Sequence, residues 1–246
     1  ILKNIYKIDI LYMFNKIIIY KMLTIYNQTI NLTNNSYIKL TFLEKPLLYY
    51  GDYNYNKLKN LIKTNNSNKS NVMVFNKDYN NPKLIEEKTH RWFKSYLNTP
   101  KYPLVSNKSY MFGGNKKNEI VDSLPSLYYP YYDYFKKINN NYNQVVVNYY
   151  ETIQDYIPMH RDWIYNMVSN YEISILTLNN KNNNVNRIFS MENLKTKEVI
   201  TIELLHGLII TMGGKFQDEY RHGILKLNNR NINNSRLGIT FRQFIV

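Results

Sequence analysis

Short segments rich in β-branched and aromatic residues fill the second half of this chain, and they constrain its fold more than any other feature. Clusters of asparagine and lysine, which favour turns over regular structure, separate them. Short strands spaced by turns in this way predict a sandwich or barrel. The predicted strands are Gln144–Tyr150, Ile173–Leu178, Glu198–Leu204, Gly207–Met212 and Gly238–Phe244, and the predicted loops are Lys63–Asn71, Asn179–Asn186 and Asn228–Asn234.

The first half of the chain is more mixed. Lys83–Leu97 carries apolar side chains near one helical face, which predicts a helix. Tyr129–Ile138 is also predicted to be helical, with Pro130 in its first turn. We therefore expect an α+β protein that is mainly β, a jelly roll behind an N-terminal α/β lobe.

The chemistry open to the chain is narrowed by the absence of cysteine, which excludes disulfides, thiol catalysis and cysteine-bound zinc. A metal would have to be held by histidine, aspartate or glutamate. The four histidines are His90, His160, His206 and His222.

The formal net charge of +14 indicates a polyanionic partner such as nucleic acid or an anionic membrane surface. The alternative is codon bias, because an AT-rich coding sequence enriches lysine, asparagine, isoleucine and tyrosine in any protein.

The segment Ile1–Tyr20 is apolar but interrupted by three lysines and an aspartate. A spanning helix needs about 20 nearly uninterrupted apolar residues, so we predict no membrane span. A signal peptide fits poorly, because no small-residue cleavage site follows. Since Met13 and Met22 are possible starts, we treat residues 1–30 as an N-terminal extension of uncertain assignment.

A candidate metal site begins with His160 and Asp162, which are separated by one residue. On an extended segment residues i and i+2 point to the same side, so both side chains can reach one metal. His222 supplies a second imidazole. Two histidines and one carboxylate form the facial triad of non-haem Fe(II) oxygenases, which leaves positions for a 2-oxoacid and O2. The alternative is a histidine in a core or on the surface, because His-x-Asp also occurs by chance.

The C-terminal strand places Arg236, Thr240 and Arg242 in phase on one face. Two arginines that face a core are costly unless each meets an anion, and the guanidinium fork matches a carboxylate. A dicarboxylate such as 2-oxoglutarate requires such a clamp. The alternative is a solvated strand face, with the intervening apolar residues forming the core.

In order and spacing these motifs resemble the AlkB family of Fe(II)/2-oxoglutarate-dependent nucleic-acid dealkylases, and most of all the member that acts on duplex DNA. Asn148 and Tyr150 are similar to the family's Asn-x-Tyr, and Leu205–Met212 resembles the strand before the distal histidine. The resemblance runs from about Val72 to the C-terminus. It implies that Fe(II) is bound by His160, Asp162 and His222, and 2-oxoglutarate by Asn148, Tyr150, Arg236, Thr240 and Arg242. By this analogy Arg236 meets the distal carboxylate and Arg242 lies near the metal.

The resemblance also implies substrate contacts. Val72–Lys77 resembles the finger hairpin that inserts an aromatic ring into duplex DNA, and Tyr110–Gly114 resembles the lid over a flipped base. The substrate-binding residues expected from it are Phe75, Tyr110, Phe112, Arg161 and Trp163. The alternative for the aromatics is an ordinary place in a core.

The sequence departs from the family at two places. The duplex-DNA member carries acidic residues after His-x-Asp, where this chain has Trp163 and Ile164, so base selectivity is expected to differ. Gly238 replaces a polar residue that is usual between the arginines of the clamp.

The activity implied is oxidative dealkylation of bases of the N1-methyladenine and N3-methylcytosine type in DNA or RNA, using Fe(II), 2-oxoglutarate and O2 and releasing succinate, CO2 and formaldehyde. The alternative is a 2-oxoglutarate-dependent hydroxylase of a protein or small molecule. A binding module with a decayed iron site is disfavoured by the complete triad and clamp.

The resemblance implies an N-terminal lobe with a nucleotide-recognition lid over residues 31–140 and a double-stranded β-helix catalytic core over residues 141–246. We expect a monomer with a nucleic-acid partner and no membrane partner. The expected location is intracellular, in the nucleus or cytoplasm, and the composition suits a viral protein in an infected cell.

Overall fold

The computed structural model of the protein describes residues 7–13, 16–23, 28–64, 70–75, 84–97, 124–162, 164, 167–168, 170–183, 185–226 and 234–243. The strands are β1 Lys7–Met13, β2 Lys16–Leu23, β3 Gln28–Asn31, β4 Ser36–Phe42, β5 Ser70–Phe75, β6 Leu84–Leu97, β7 Gln144–Tyr150, β8 Ile157–His160, β9 Glu172–Asn179, β10 Arg187–Asn193, β11 Val199–Leu204, β12 Leu208–Gly214, β13 Tyr220–Ile224 and β14 Arg236–Arg242. The helices are α1 Lys45–Thr64, α2 Tyr129–Ile138 and α3 Phe216–Glu219, with a short 3-10 turn at Ser126–Tyr128.

The strands form two sheets. One has the order β1-β2-β11-β10-β13-β8, and the other β3-β4-β12-β9-β14-β7-β6-β5. Neighbouring strands are antiparallel throughout, except that β2 runs parallel to β11. The predicted jelly roll is therefore confirmed.

A first core joins the two sheets. Its buried residues include Ile38, Ile210 and Met212 of the eight-stranded sheet, and Phe189, Met191 and Ile202 of the six-stranded sheet. Since each sheet buries this face against the other, the cleft that carries the candidate site opens between them.

A second core lies on the outer face of the eight-stranded sheet, beneath α1 and α2. Leu58 of α1 and Phe135 of α2 are fully buried in it. The ring of Phe135 stacks on that of Phe241, with the centroids 3.8 Å apart. The eight-stranded sheet is thus covered on both faces, and the side chains of β14 alternate between this second core and the cleft between the sheets.

The five predicted strands correspond to β7, β9, β11, β12 and β14, and the predicted helix Tyr129–Ile138 is α2. The helix predicted over Lys83–Leu97 is wrong, because this segment is the strand β6. It pairs with β7, where Trp92 lies opposite Tyr149. From Arg91 to Tyr96 every residue except the half-buried Trp92 is buried, so no alternation of apolar and polar residues marks a strand there.

The predicted loops agree only in part with the connections in the structure. Residues 180–186 connect β9 to β10, and Asn179 is the last residue of β9. Lys63 and Thr64 still belong to α1, and Ser70 and Asn71 begin β5. Most of residues 228–234 lies outside the described residues.

The N-terminal segments join the core sheets. β1 and β2 form a hairpin whose second strand pairs with β11, while β4 and β6 lie in the eight-stranded sheet. The lobe boundary expected at residue 140 stays a prediction. Among the described helices, none has the length and apolar character needed to cross a bilayer.

Candidate metal centre

Two neighbouring strands of the six-stranded sheet bring the predicted metal ligands together. β8 ends at His160, which lies opposite His222 on β13, and Asp162 follows two residues later. His222 Nε2 is 3.5 Å from Asp162 Oδ2, and His160 Nε2 is 3.9 Å from Asp162 Oδ1. The candidate ligand atoms all lie within 4.8 Å of one another. This spacing suits a single cation at their centre.

The protonation states also suit a cation. Burial, reinforced by the neighbouring His160, lowers the pKa of His222 to about 3. Burial likewise lowers the pKa of His160. Burial by itself would raise the pKa of Asp162, but Arg242 and the two histidines hold it below its usual value. At neutral pH the site therefore offers two neutral imidazoles and one carboxylate, the forms that bind a metal ion.

Backbone geometry fixes the tautomer of His160. Its Nδ1 lies 2.9 Å from the carbonyl oxygen of Pro158. Because a carbonyl only accepts hydrogen bonds, Nδ1 carries the proton and donates it, and the lone pair of Nε2 is left for the metal.

Asp162 is held by two neighbours. Arg242 Nη2 donates to Oδ1 over 2.5 Å. Gln217, a buried residue of α3, accepts from the backbone N–H of Asp162 over 2.8 Å, and its own amide nitrogen is 3.5 Å from Oδ2. Gln217 was not among the predicted site residues, since a glutamine in a four-residue helix gives no sequence signal.

The predicted arginine clamp is buried. All seven residues of β14 are buried, and Arg236, Thr240 and Arg242 line the same cleft as the triad. The alternative of a solvated strand face is therefore wrong. The reason is position: β14 lies between β7 and β9 near the middle of the eight-stranded sheet.

Arg236 provides the strongest indication of an anion site. Its guanidinium carbon is 4.5 Å from the ring centroid of Tyr150, and Nη1 donates to Thr177 over 3.3 Å. Its buried Nε has no hydrogen-bond partner among the described residues. A buried guanidinium with an unused donor is costly on its own, so the arrangement favours a bound carboxylate.

The cleft has a volume of about 510 Å³, its open mouth included. Asp162 is the only carboxylate among the described residues that line it. The lining residues are Arg91, Val146, Asn148, Tyr150, Ile157, His160, Asp162, Ile175, Phe189, His222, Gly223, Ile224, Arg236, Gly238, Thr240 and Arg242.

The structure explains why a glycine stands at position 238. A Cβ at this position would lie 3.2 Å from Nη2 of Arg236, which shows that the guanidinium lies over the glycine. The missing side chain gives Arg236 room to lie along its own strand.

Most of the predicted substrate residues lie outside the part of the chain that the structure describes. Arg161 is exposed beside Asp162. Tyr110, Phe112 and Trp163 lie outside the described residues, and of Phe75 only the place at the end of β5 is described. Among the charged residues that line the described cleft, the sequence missed Arg91 of β6, whose Nε donates to Asn148 Oδ1 over 2.7 Å. The wrong helix prediction for its segment concealed it.

A jelly roll with two histidines, one carboxylate and a buried arginine in one cleft defines a mononuclear non-haem iron oxygenase that uses a 2-oxoacid. Residues 58–242 match the family model of the 2OG-Fe(II) oxygenase superfamily. The chain therefore belongs to this superfamily, which uses Fe(II), 2-oxoglutarate and O2.

No curated protein matches the chain. A solved structure described as "The structure of OsALKBH1" is similar, with 12% sequence identity and a TM-score of 0.46, and the similarity covers 84% of this chain and 97% of that chain.

The residues of the cleft fit the cofactor that the superfamily uses. His160, Asp162 and His222 would hold Fe(II), and Arg236 would receive the distal carboxylate of 2-oxoglutarate. The iron supplies the oxidation of a C–H bond when it is bound. The protein binds and orients the co-substrate, and through Arg242 and Gln217 it fixes the carboxylate of Asp162.

Proposed function

We propose that this oxygenase is of the AlkB type and removes N-alkyl groups from nucleic-acid bases. One atom of O2 enters succinate, formed with CO2 from 2-oxoglutarate, and the other hydroxylates the N-methyl carbon. The hydroxymethyl group then leaves as formaldehyde. The observation that carries the proposal is a set of motifs whose members line one cleft and whose order along the chain resembles that of the AlkB family. These motifs are Asn148-x-Tyr150, His160-x-Asp162, His222 and the arginine clamp.

The charge of the chain supports a nucleic-acid substrate. The formal net charge is +14, and Arg161 is exposed beside the ligand Asp162. A cation at this place can neutralise a phosphate next to an extruded base. Binding to DNA or RNA should then weaken as the salt concentration rises.

The experiment uses oligonucleotides that carry one N1-methyladenine or N3-methylcytosine, as single-stranded DNA, duplex DNA and RNA. Each is incubated with the protein, Fe(II), 2-oxoglutarate and O2, and the methyl group is followed by mass spectrometry. We expect its loss with an equal amount of formaldehyde, and no loss with His160→Ala. Methyl loss that persists in His160→Ala would contradict the assignment of the metal site.

A second candidate function is hydroxylation of a protein or small molecule. Ile164 stands where the duplex-DNA member has an acidic residue, and its side chain has no atom that could accept a hydrogen bond from a base. It packs against the core between the sheets. Steady succinate formation with no methyl loss from any of the oligonucleotides would favour this second function over dealkylation.

A further inference from the structure

A third arginine enters the cleft from the N-terminal half of the chain. Arg91 lies on β6, next to Trp92, which pairs with Tyr149 of β7. It is 2% exposed and lines the cleft together with His160 and Arg236. A cation this deeply buried needs partners, and one of them is known: Nε donates to Asn148 Oδ1 over 2.7 Å.

This hydrogen bond sets the orientation of the Asn148 amide. An amide side chain has one oxygen that accepts and one NH2 group that donates, whereas a guanidinium only donates. Arg91 therefore fixes which end of the amide is the oxygen, and the NH2 group becomes the donor available to another acceptor.

The neighbouring strand shows what lies beside that donor. Asn148 is directly opposite Gly238 on β14, and the guanidinium of Arg236 lies over this glycine. Residue pairs directly opposite in an antiparallel sheet share a face. The Asn148 amide is therefore on the same face as the arginine that would bind the distal carboxylate of 2-oxoglutarate.

We infer that Arg91 is a positioning residue for 2-oxoglutarate binding: it holds the Asn148 amide with its NH2 group turned to the co-substrate. This role is independent of the substrate proposed above, because it concerns a step that precedes substrate oxidation. It also assigns a function to β6, which lies outside the strands that carry the ligand triad and clamp.

Two variants of Arg91 separate the hydrogen bond from the charge. Arg91→Gln keeps an N–H donor the same number of bonds from the backbone as Nε and removes the charge. Arg91→Met fills similar space and removes both. The dissociation constant of 2-oxoglutarate is measured by calorimetry on the Mn(II)-loaded protein without O2, so that no turnover occurs.

We expect binding of 2-oxoglutarate to weaken about tenfold in Arg91→Met and less than threefold in Arg91→Gln. Affinity for Mn(II) alone should change to the same extent in both variants, because both remove the charge of Arg91, which acts on the ligand His160. Equal losses of 2-oxoglutarate binding in the two variants would overturn the inference, since charge and not the hydrogen bond would then be responsible. Unchanged binding in Arg91→Met would also overturn it.

A matched control is Lys94→Met, which removes a buried cation from the opposite face of the same strand. It should leave 2-oxoglutarate binding within twofold of the native value. A loss as large as that of Arg91→Met would show that β6 acts only through its packing.

Asn148→Asp tests the same inference if Arg91→Met does not fold. The aspartate still accepts from Arg91 but has no NH2 group to donate. We expect at least a tenfold weaker binding of 2-oxoglutarate, and native affinity would overturn the inference.

Discussion

At the scale of single residues, the candidate centre depends on how tightly Asp162 is held. Arg242 bonds to one of its carboxylate oxygens, while Gln217 accepts from its backbone N–H. Neighbours that orient a metal ligand commonly contribute 10- to 100-fold to metal affinity. The sequence indicated Arg242 through its phase in the strand, but it could not indicate Gln217, whose role depends on the position of α3 next to Asp162.

The first prediction concerns Gln217. Replacing it with leucine removes the support of Asp162 and should weaken Mn(II) or Fe(II) binding about tenfold, measured by calorimetry without O2. Asn54→Leu is the control, because Asn54 is a similarly buried amide that bonds to the carbonyl oxygen of Tyr50 within α1, outside the residues that line the cleft. If both variants bind metal as the native protein does, the support by Gln217 has no energetic importance.

The second prediction concerns Arg236. In the native protein 2-oxoglutarate should raise the melting temperature of the Mn(II)-loaded form, because it binds only the folded state. In Arg236→Met this increase should be much smaller at the same 2-oxoglutarate concentration, because the buried cation that meets the distal carboxylate is gone. Without 2-oxoglutarate the variant should be about as stable as the native protein, since a poorly satisfied buried charge is replaced by an apolar chain. An undiminished increase in the variant would place the carboxylate elsewhere.

The third prediction concerns pH. The pKa of His222 is lowered to about 3 by burial, so between pH 3 and about 6.5 the unfolded chain binds a proton that the folded chain does not. The free energy of unfolding of the metal-free protein should therefore fall as the pH decreases from 6.5, by up to about 1.4 kcal/mol per pH unit from this residue. His160, whose pKa is also lowered, adds to the slope.

Urea unfolding at a series of pH values measures this slope. His222→Gln should reduce it, because glutamine does not titrate. Equal slopes for the two proteins between pH 4 and 6.5 would show that His222 is not held in its neutral form by the fold.

At the scale of elements, β14 and β6 show what a sequence can and cannot predict. The phase of Arg236, Thr240 and Arg242 was evident from the sequence because a strand has period 2. Whether their face was solvated or buried depends on the sheet that forms around them, and only the pairing with β7 and β9 decides it.

The prediction for β6 was wrong for a related reason. Both faces of β6 are largely buried from Arg91 to Tyr96, so polar and apolar residues do not alternate there as they do in a half-exposed strand. That error hid Arg91 and its bond to Asn148. Strands β7, β9, β11, β12 and β14 were predicted correctly because β-branched runs and flanking turn residues agree there.

The fourth prediction tests the packing of α2 on β14. Phe241 is fully buried and stacks on Phe135. Phe241→Ala should lower the free energy of unfolding by about 3 to 5 kcal/mol in urea unfolding. Phe42→Ala is the matched control, because Phe42 is 37% exposed and should cost about 1 kcal/mol or less. Equal effects at the two positions would contradict the packing described.

At the scale of the whole molecule, the two sheets carry different parts of the candidate site. The six-stranded sheet supplies the metal ligands through β8 and β13, and the eight-stranded sheet supplies the arginine clamp and Asn148. The candidate metal site and the candidate anion site therefore face each other across the cleft. The core beneath α1 and α2 supports the strand β14, which carries the clamp, from its other side.

The fifth prediction tests the central claim that this cleft binds Fe(II) and 2-oxoglutarate together. Without O2, the protein is titrated with Fe(II), 2-oxoglutarate and both, and the visible charge-transfer absorption of an Fe(II)–2-oxoacid chelate is recorded. We expect the band only when both are present, and expect it to be lost in His160→Ala and to need higher 2-oxoglutarate concentrations in Arg236→Met. A native protein without the band, or a band that His160→Ala leaves unchanged, would contradict the account.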